Sequence, residues 1–164
     1  MRAHLGIFAK LWNLLPMFSI LMVLCLLNAC TSEISDKEIS ADFTNYKKLF
    51  AETARLGLGT DLACYRKSGD TVTCNMPAAI ETFRSLSRVT GVKSAYARND
   101  IPQLGNAVYF VVAEYGFVTM SSYTKGLIYS QQELVPTVNS TDDKPESKYR
   151  FKKLEDHWYV FRMP

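Results

Sequence analysis

The 164-residue chain is poor in the residues that most often do chemistry. It has two histidines, His4 and His157. His157 sits in turn-like sequence, Glu155-Asp156-His157, the setting of a solvated side chain and not of a catalytic base. With so few imidazoles, a zinc site would need several carboxylates. Asp142-Asp143 with Glu146 could hold calcium only loosely, because the D-x-D-x-D-G spacing is missing. There is no C-x-x-C redox pair, no glycine-rich phosphate cradle, no internal repeat and no low-complexity tract. These absences exclude the commonest cofactor and metal sites, so no cofactor, no metal and no catalytic residue is expected.

The N-terminus is a different matter. Arg2 and Lys10 are the only charged residues of the first 29, and Leu11 to Leu27 carries no charge. A basic n-region followed by an apolar h-region is the pattern of a secretory signal. A membrane-spanning helix needs about 20 apolar residues, and Asn13 and Pro16 weaken the first half of this run. The run closes on Leu26-Leu27-Asn28-Ala29-Cys30, which resembles the lipobox of bacterial lipoprotein signal peptides. That resemblance implies cleavage before Cys30 and attachment of a diacylglycerol to its thiol. It makes the lipid bilayer, reached through acylated Cys30, the first expected partner. Thr31 is not the Asp that retains such proteins at the inner membrane in enteric-type bacteria. The expected location is therefore the bacterial cell envelope, on the outer membrane and facing the periplasm. The domain organisation that follows is a signal peptide at 1–29, a lipidated tether at 30–39 and a single domain at 40–164.

Removal of the signal leaves 135 residues, enough for one core. The 19 basic residues fall to 17 against 16 acids, so the mature side-chain charge is about +1. No basic face is implied, and nucleic acid is not an expected partner. Cys25 leaves with the signal and Cys30 becomes the anchor. Cys64 and Cys74 remain in an oxidising compartment and are expected to form a disulfide, the alternative being two free thiols. Ser68-Gly69-Asp70 between them is turn chemistry and Thr71-Val72-Thr73 is strand-like, so a hairpin would set the cysteines opposite each other.

Ser40 to Leu56 is expected as a helix, with Phe43, Tyr46, Leu49, Phe50 and Ala54 at three- and four-residue spacings. A second helix is expected at about 77–90, with Ile80, Phe83, Leu86 and Val89 on one face and Gly91 as its stop. Strands follow at 92–97, 107–113, 117–123 and 126–130. Ala107 to Ala113 is apolar on both faces and β-branched, which marks the central strand. Ser140 to Ser147 is expected as an exposed loop. The chain should close on a hairpin in which 157–162 returns along 148–154, with one side of the returning strand buried. The expected fold class is α+β: a single small domain with a mostly antiparallel sheet of five to seven strands, packed by two helices on one face.

Ser122-Tyr123-Thr124-Lys125 matches the S-x-x-K of penicillin-binding enzymes. That chemistry needs Ser and Lys one helical turn apart, and this stretch reads as strand and turn. Asn139-Ser140-Thr141 is a sequon that a bacterial lipoprotein rarely uses. The ordered series Gly105-Asn106-Ala107-Val108-Tyr109-Phe110, Lys125-Gly126-Leu127-Ile128-Tyr129-Ser130, Val138-Asn139-Ser140-Thr141-Asp142-Asp143 and Trp158-Tyr159-Val160-Phe161 resembles a family of small uncharacterised gammaproteobacterial lipoproteins with a K-G-x-x-Y-S, S-x-D, W-Y pattern. Thr141 stands where that family usually has Leu, and Asp156-His157 replace its small turn residues. The resemblance implies a lipoprotein and no particular activity. Lys125-Gly126 reads as a tight turn, and Trp158-Tyr159 as core and rim.

Three functions compete on the sequence. The first is a membrane-anchored periplasmic binding or structural module that meets an unknown envelope protein through an exposed aromatic surface, drawing on nine tyrosines. The second is an inhibitor or immunity protein against a periplasmic hydrolase or toxin. An enzyme is disfavoured, because no nucleophile–base pair can be defended.

Overall fold

The computed structural model describes residues 33–98, 105–115, 122–135, 137–142 and 149–164. The signal, Cys30, the break at Asn99–Pro102, residues 116–121 of the expected bend and strand, and most of the 140–147 loop lie outside that set. Among the described residues no helix is long and apolar enough to cross a membrane.

The folded unit begins at Ile34. Helix α1 spans Asp36–Gly57, four residues longer at its start than its apolar periodicity predicts. Ser35 is its cap: the Ser35 hydroxyl accepts from Glu38 N at 3.3 Å, and Glu38 Oε2 accepts from Ser35 N at 2.8 Å. This reciprocal capping box satisfies two of the helix's orphan donors. It turns much of the expected tether into helix, and Ile39 is buried. Phe43, Phe50 and Ala54 continue the buried stripe. The helix kinks at Tyr46 (φ −123°, ψ 23°). The Ser40 and Thr44 hydroxyls donate to the carbonyls of Asp36 and Ser40 at 2.6 and 2.8 Å. Such bonds back onto the preceding turn bend helices.

Strands β1 (Ala63–Arg66) and β2 (Val72–Cys74) form the expected hairpin, turning through Gly69. Cys64 lies opposite Cys74 and the two are joined by a disulfide. Lys67 N donates to Thr71 O, and Asn75 N to Ala63 O. Pairing alternates along an antiparallel ladder, so Cys64–Cys74 is a non-hydrogen-bonded pair, where the Cβ atoms come closest. A 3₁₀ turn at Pro77–Ala79 leads into α2 (Ile80–Thr90), and Gly91 ends it at φ 68°, a left-handed conformation that glycine adopts without strain. The inner face of α2 is Phe83, Leu86, Ser87 and Thr90. Val89, expected on that face, is exposed.

The remaining strands are β3 (Ser94–Arg98), β4 (Ala107–Tyr115), β5 (Tyr123–Ser130), β6 (Arg150–Glu155) and β7 (Trp158–Met163). All pairings are antiparallel, in the order β2-β1-β3-β4-β5-β7-β6. The expected α+β class holds, with seven strands and β4 at the centre. Val108, Phe110, Leu127, Trp158 and Val160 pack with both helices in one core. Tyr109, Val111, Ile128, Tyr159 and Phe161 form a second core on the other face. The β5–β6 connection helps close that face: Leu134 is buried, and Thr137 bridges in parallel to Phe151. The closing hairpin is thus buried on both sides of β7, where one side was expected.

Two further expectations are corrected. Lys125-Gly126 is not a turn, because β5 runs straight through it. Gly126 is needed for close approach: a Cβ there would lie 1.9 Å from the Phe110 carbonyl oxygen, beside a bulge between Val111 and Ala113. The 140–147 loop is not exposed throughout, because Thr141 is fully buried.

Candidate functional site

Two constellations stand out. The first is an ion-pair cluster at the start of α1. Lys125, from β5, is fully buried and places its Nζ 3.0 Å from Asp36 Oδ1, with a closer contact to Asp142 Oδ1. Asp36 is 2% exposed. It accepts from Thr141 N at 2.7 Å and from the Thr141 hydroxyl, and Lys152 Nζ stands 3.7 Å away. Asp142 in turn accepts from Asp36 N at 3.0 Å, so a carboxylate distant in sequence meets the positive end of the helix dipole. Arg162 Nη1 donates to the Thr141 carbonyl at 3.2 Å, and its guanidinium lies 3.6 Å from the centre of the Tyr123 ring. Burial pushes the Asp36 carboxyl up, but the hydrogen bonds from Thr141 and Lys125 outweigh it and hold the group below its ordinary value.

Asp36, Asp142, Lys125 and Lys152 are paired with one another. Lys125 pairs with two carboxylates, and Ser122 is exposed just before β5 begins. Lys125 lies on a strand, so the S-x-x-K residues are not spaced on one helical turn. The cluster ties three chain segments together: the start of α1, the 137–142 segment and the sheet.

The second constellation is an open hollow of about 750 Å³ on the sheet face away from the helices. Its floor is β3, where Ser94 and Tyr96 face outward beside Ala63 and Tyr65 of β1. Tyr96 stacks on Tyr109 at 5.1 Å, with ring planes 10° apart, which fixes the ring. Tyr65 is 53% exposed, the most exposed aromatic among the described residues. Arg98 stands at the Ala107 end of β3, and Glu114 at the other end of β4. The bulge in β4 puts Glu114 opposite Thr124 and so on the open face. Asp61 adds a third charge at the rim. Burial pushes the Tyr96 phenol above its ordinary value; Arg98, which hydrogen-bonds it, pulls the other way, and Glu114 and Tyr65 add to the rise.

Cys64 and Cys74 face the helix-side core, and their disulfide holds β2 against β1, whose Ala63 and Tyr65 line the hollow on the opposite face. His157 is exposed in the β6–β7 turn at φ 67°, its Nδ1 3.0 Å from the Ser130 carbonyl oxygen, far along the sheet from the hollow. Neither Asp36–Lys125–Thr141 nor Tyr65–Tyr96–Arg98–Glu114 follows from local sequence, since each draws on elements distant along the chain. The alternation Ser94, Tyr96, Arg98 on one face of a short strand was the one available signal for the second.

The chain matches no protein-family model, no curated protein and no solved structure. Its function therefore has to be argued from its own geometry.

Proposed function

We propose that this chain is a membrane-anchored periplasmic lipoprotein whose folded domain is a binding module, with the Tyr65–Tyr96 hollow as its contact surface. The observation that carries the binding role is that hollow. An exposed aromatic, a second aromatic held by stacking, and charges of both signs converge on a concave face. Anchoring rests on the Leu27-Asn28-Ala29-Cys30 lipobox and on the resemblance of 105–162 to small gammaproteobacterial lipoproteins. Thr31-Ser32-Glu33 lie in sequence between Cys30 and the unit that begins at Ile34.

The anchor is tested by labelled palmitate. Wild type should incorporate it and the Cys30→Ser protein should not; equal incorporation refutes the lipobox. The binding role is tested with a photo-crosslinking residue at position 65, compared with one at exposed Val135. Adducts specific to position 65 support the hollow, and identical patterns at both positions count against it. An inhibitor or immunity role uses the same surface, and a hydrolase or toxin recovered at position 65 would favour it.

A further inference from the structure

The hollow has a shape and chemistry that narrow its ligand. It runs along β3, whose Ser94–Arg98 span is about 13 Å. An open trough over an extended strand can take a chain laid along that strand. The backbone of its floor is already used: β3 pairs with β1 on one side and β4 on the other. An extended peptide therefore cannot add as a strand here, and recognition must come from side chains. One arginine faces two carboxylates, Asp61 and Glu114, which gives no bias toward phosphate or other polyanions. Tyr65 is half exposed, and Tyr96 has one ring face taken by Tyr109; the negative π-cloud of an exposed ring attracts the C–H groups on the flat side of a sugar ring. Guanidinium, carboxylate and hydroxyl groups beside them can donate to and accept from sugar hydroxyls.

We propose that the trough binds a neutral oligosaccharide, a run of linked pyranose rings with Tyr65 as the stacking platform and Arg98 and Glu114 as hydrogen-bonding ends. This rests on the reading of the hollow as the contact surface and names its ligand class. The test uses the mature protein in mild detergent, with two probes: a soluble N-acetylglucosamine tetramer, and purified peptidoglycan sacculi in a sedimentation assay. Saturable binding to the tetramer, with or without the sacculi, is expected, weakened roughly tenfold or more by Tyr65→Ala and retained by Tyr65→Trp. Arg98→Met should also weaken it. Tyr149→Ala removes an exposed tyrosine outside the hollow and should change nothing. Tyr65 is exposed, so its variants should melt as wild type does. Binding to sacculi alone would point to their charged stem peptides and overturn the neutral sugar. Absence of binding to both probes, or equal loss in Tyr149→Ala, overturns it. A protein adduct at position 65 with no sugar binding overturns the saccharide while leaving the hollow a contact surface. With neither adduct nor sugar binding, both readings fall.

Discussion

Replacing Lys125 with Met removes the charge at the centre of the ion-pair cluster while keeping most of the side-chain volume. The ammonium is fully buried and meets Asp36, 2% exposed, and Asp142. Losing it leaves two carboxylates facing each other, with Lys152 3.7 Å from Asp36. Breaking a buried pair by deleting one partner costs about 3–5 kcal/mol, because the remaining charge is uncompensated. The lower end is expected here. The Asp142 side chain is 42% exposed and can be partly rehydrated, and Asp36 keeps its Thr141 donors. Against a total of about 5–15 kcal/mol, this is a large fraction. It corresponds to a fall of roughly 10–20 °C in Tm for a domain of this size. The assay is urea and thermal unfolding of the mature protein, followed by circular dichroism. The decisive comparison is the triple variant Lys125→Met/Asp36→Asn/Asp142→Asn. It should recover part of the loss, since the stranded carboxylates are gone. If Lys125→Met unfolds with the wild-type midpoint, or if the triple variant is the weaker by the sum of its parts, the cluster is not an electrostatic tie and the reasoning fails.

Trp158 lies within 4.9–6.1 Å, centroid to centroid, of the rings of Phe43, Phe50, Phe110 and Tyr129. Trp158→Ala should cost about 3–5 kcal/mol in urea unfolding, and an unchanged midpoint would contradict its core placement. Gly126→Ala should leave little soluble protein, or lower the melting point steeply. The added Cβ meets the Phe110 backbone and not a flexible side chain. The Asp36 carboxyl is held below its unfolded value, so its contribution is present above that value, about pH 4, and is lost as pH falls through the folded one. Urea midpoints should therefore drop toward acid more steeply for wild type than for Asp36→Asn, and parallel profiles would rule out Asp36 as a source of the acid sensitivity.

Much of the fold was legible because its signals are local. The hairpin between Cys64 and Cys74 is written in Ser68-Gly69-Asp70, and the central strand in seven successive apolar residues, Ala107 to Ala113. The start of α1 was missed because the apolar stripe thins there. Ser35 and Glu38 announce it through a capping box, in sequence that otherwise resembles a tether. Val89 is apolar but three residues on from Leu86, where the helix has turned away from the sheet. The helix turns Ser87 and Thr90 inward, and the Thr90 hydroxyl satisfies itself by donating to the Leu86 carbonyl at 2.8 Å.

Sequence alone determined the class of the domain, the pairing of Cys64 with Cys74 and the aromatic closing hairpin. Each depends on periodicity or on turn chemistry within a few residues. Only the tertiary structure decided what Lys125, Gly126 and Thr141 are for. A lysine and a glycine side by side look like a turn until the sheet brings Asp36, 89 residues upstream, to the lysine and the Phe110 carbonyl to the glycine. Thr141 looks like surface until its hydroxyl and backbone are found holding the buried Asp36. The hollow is likewise a product of registry. Tyr65 meets Ser94, and Glu114 reaches the open face, only because β1 pairs with β3 in one register and β4 carries a bulge. A one-residue slip in either would send those side chains to the opposite face.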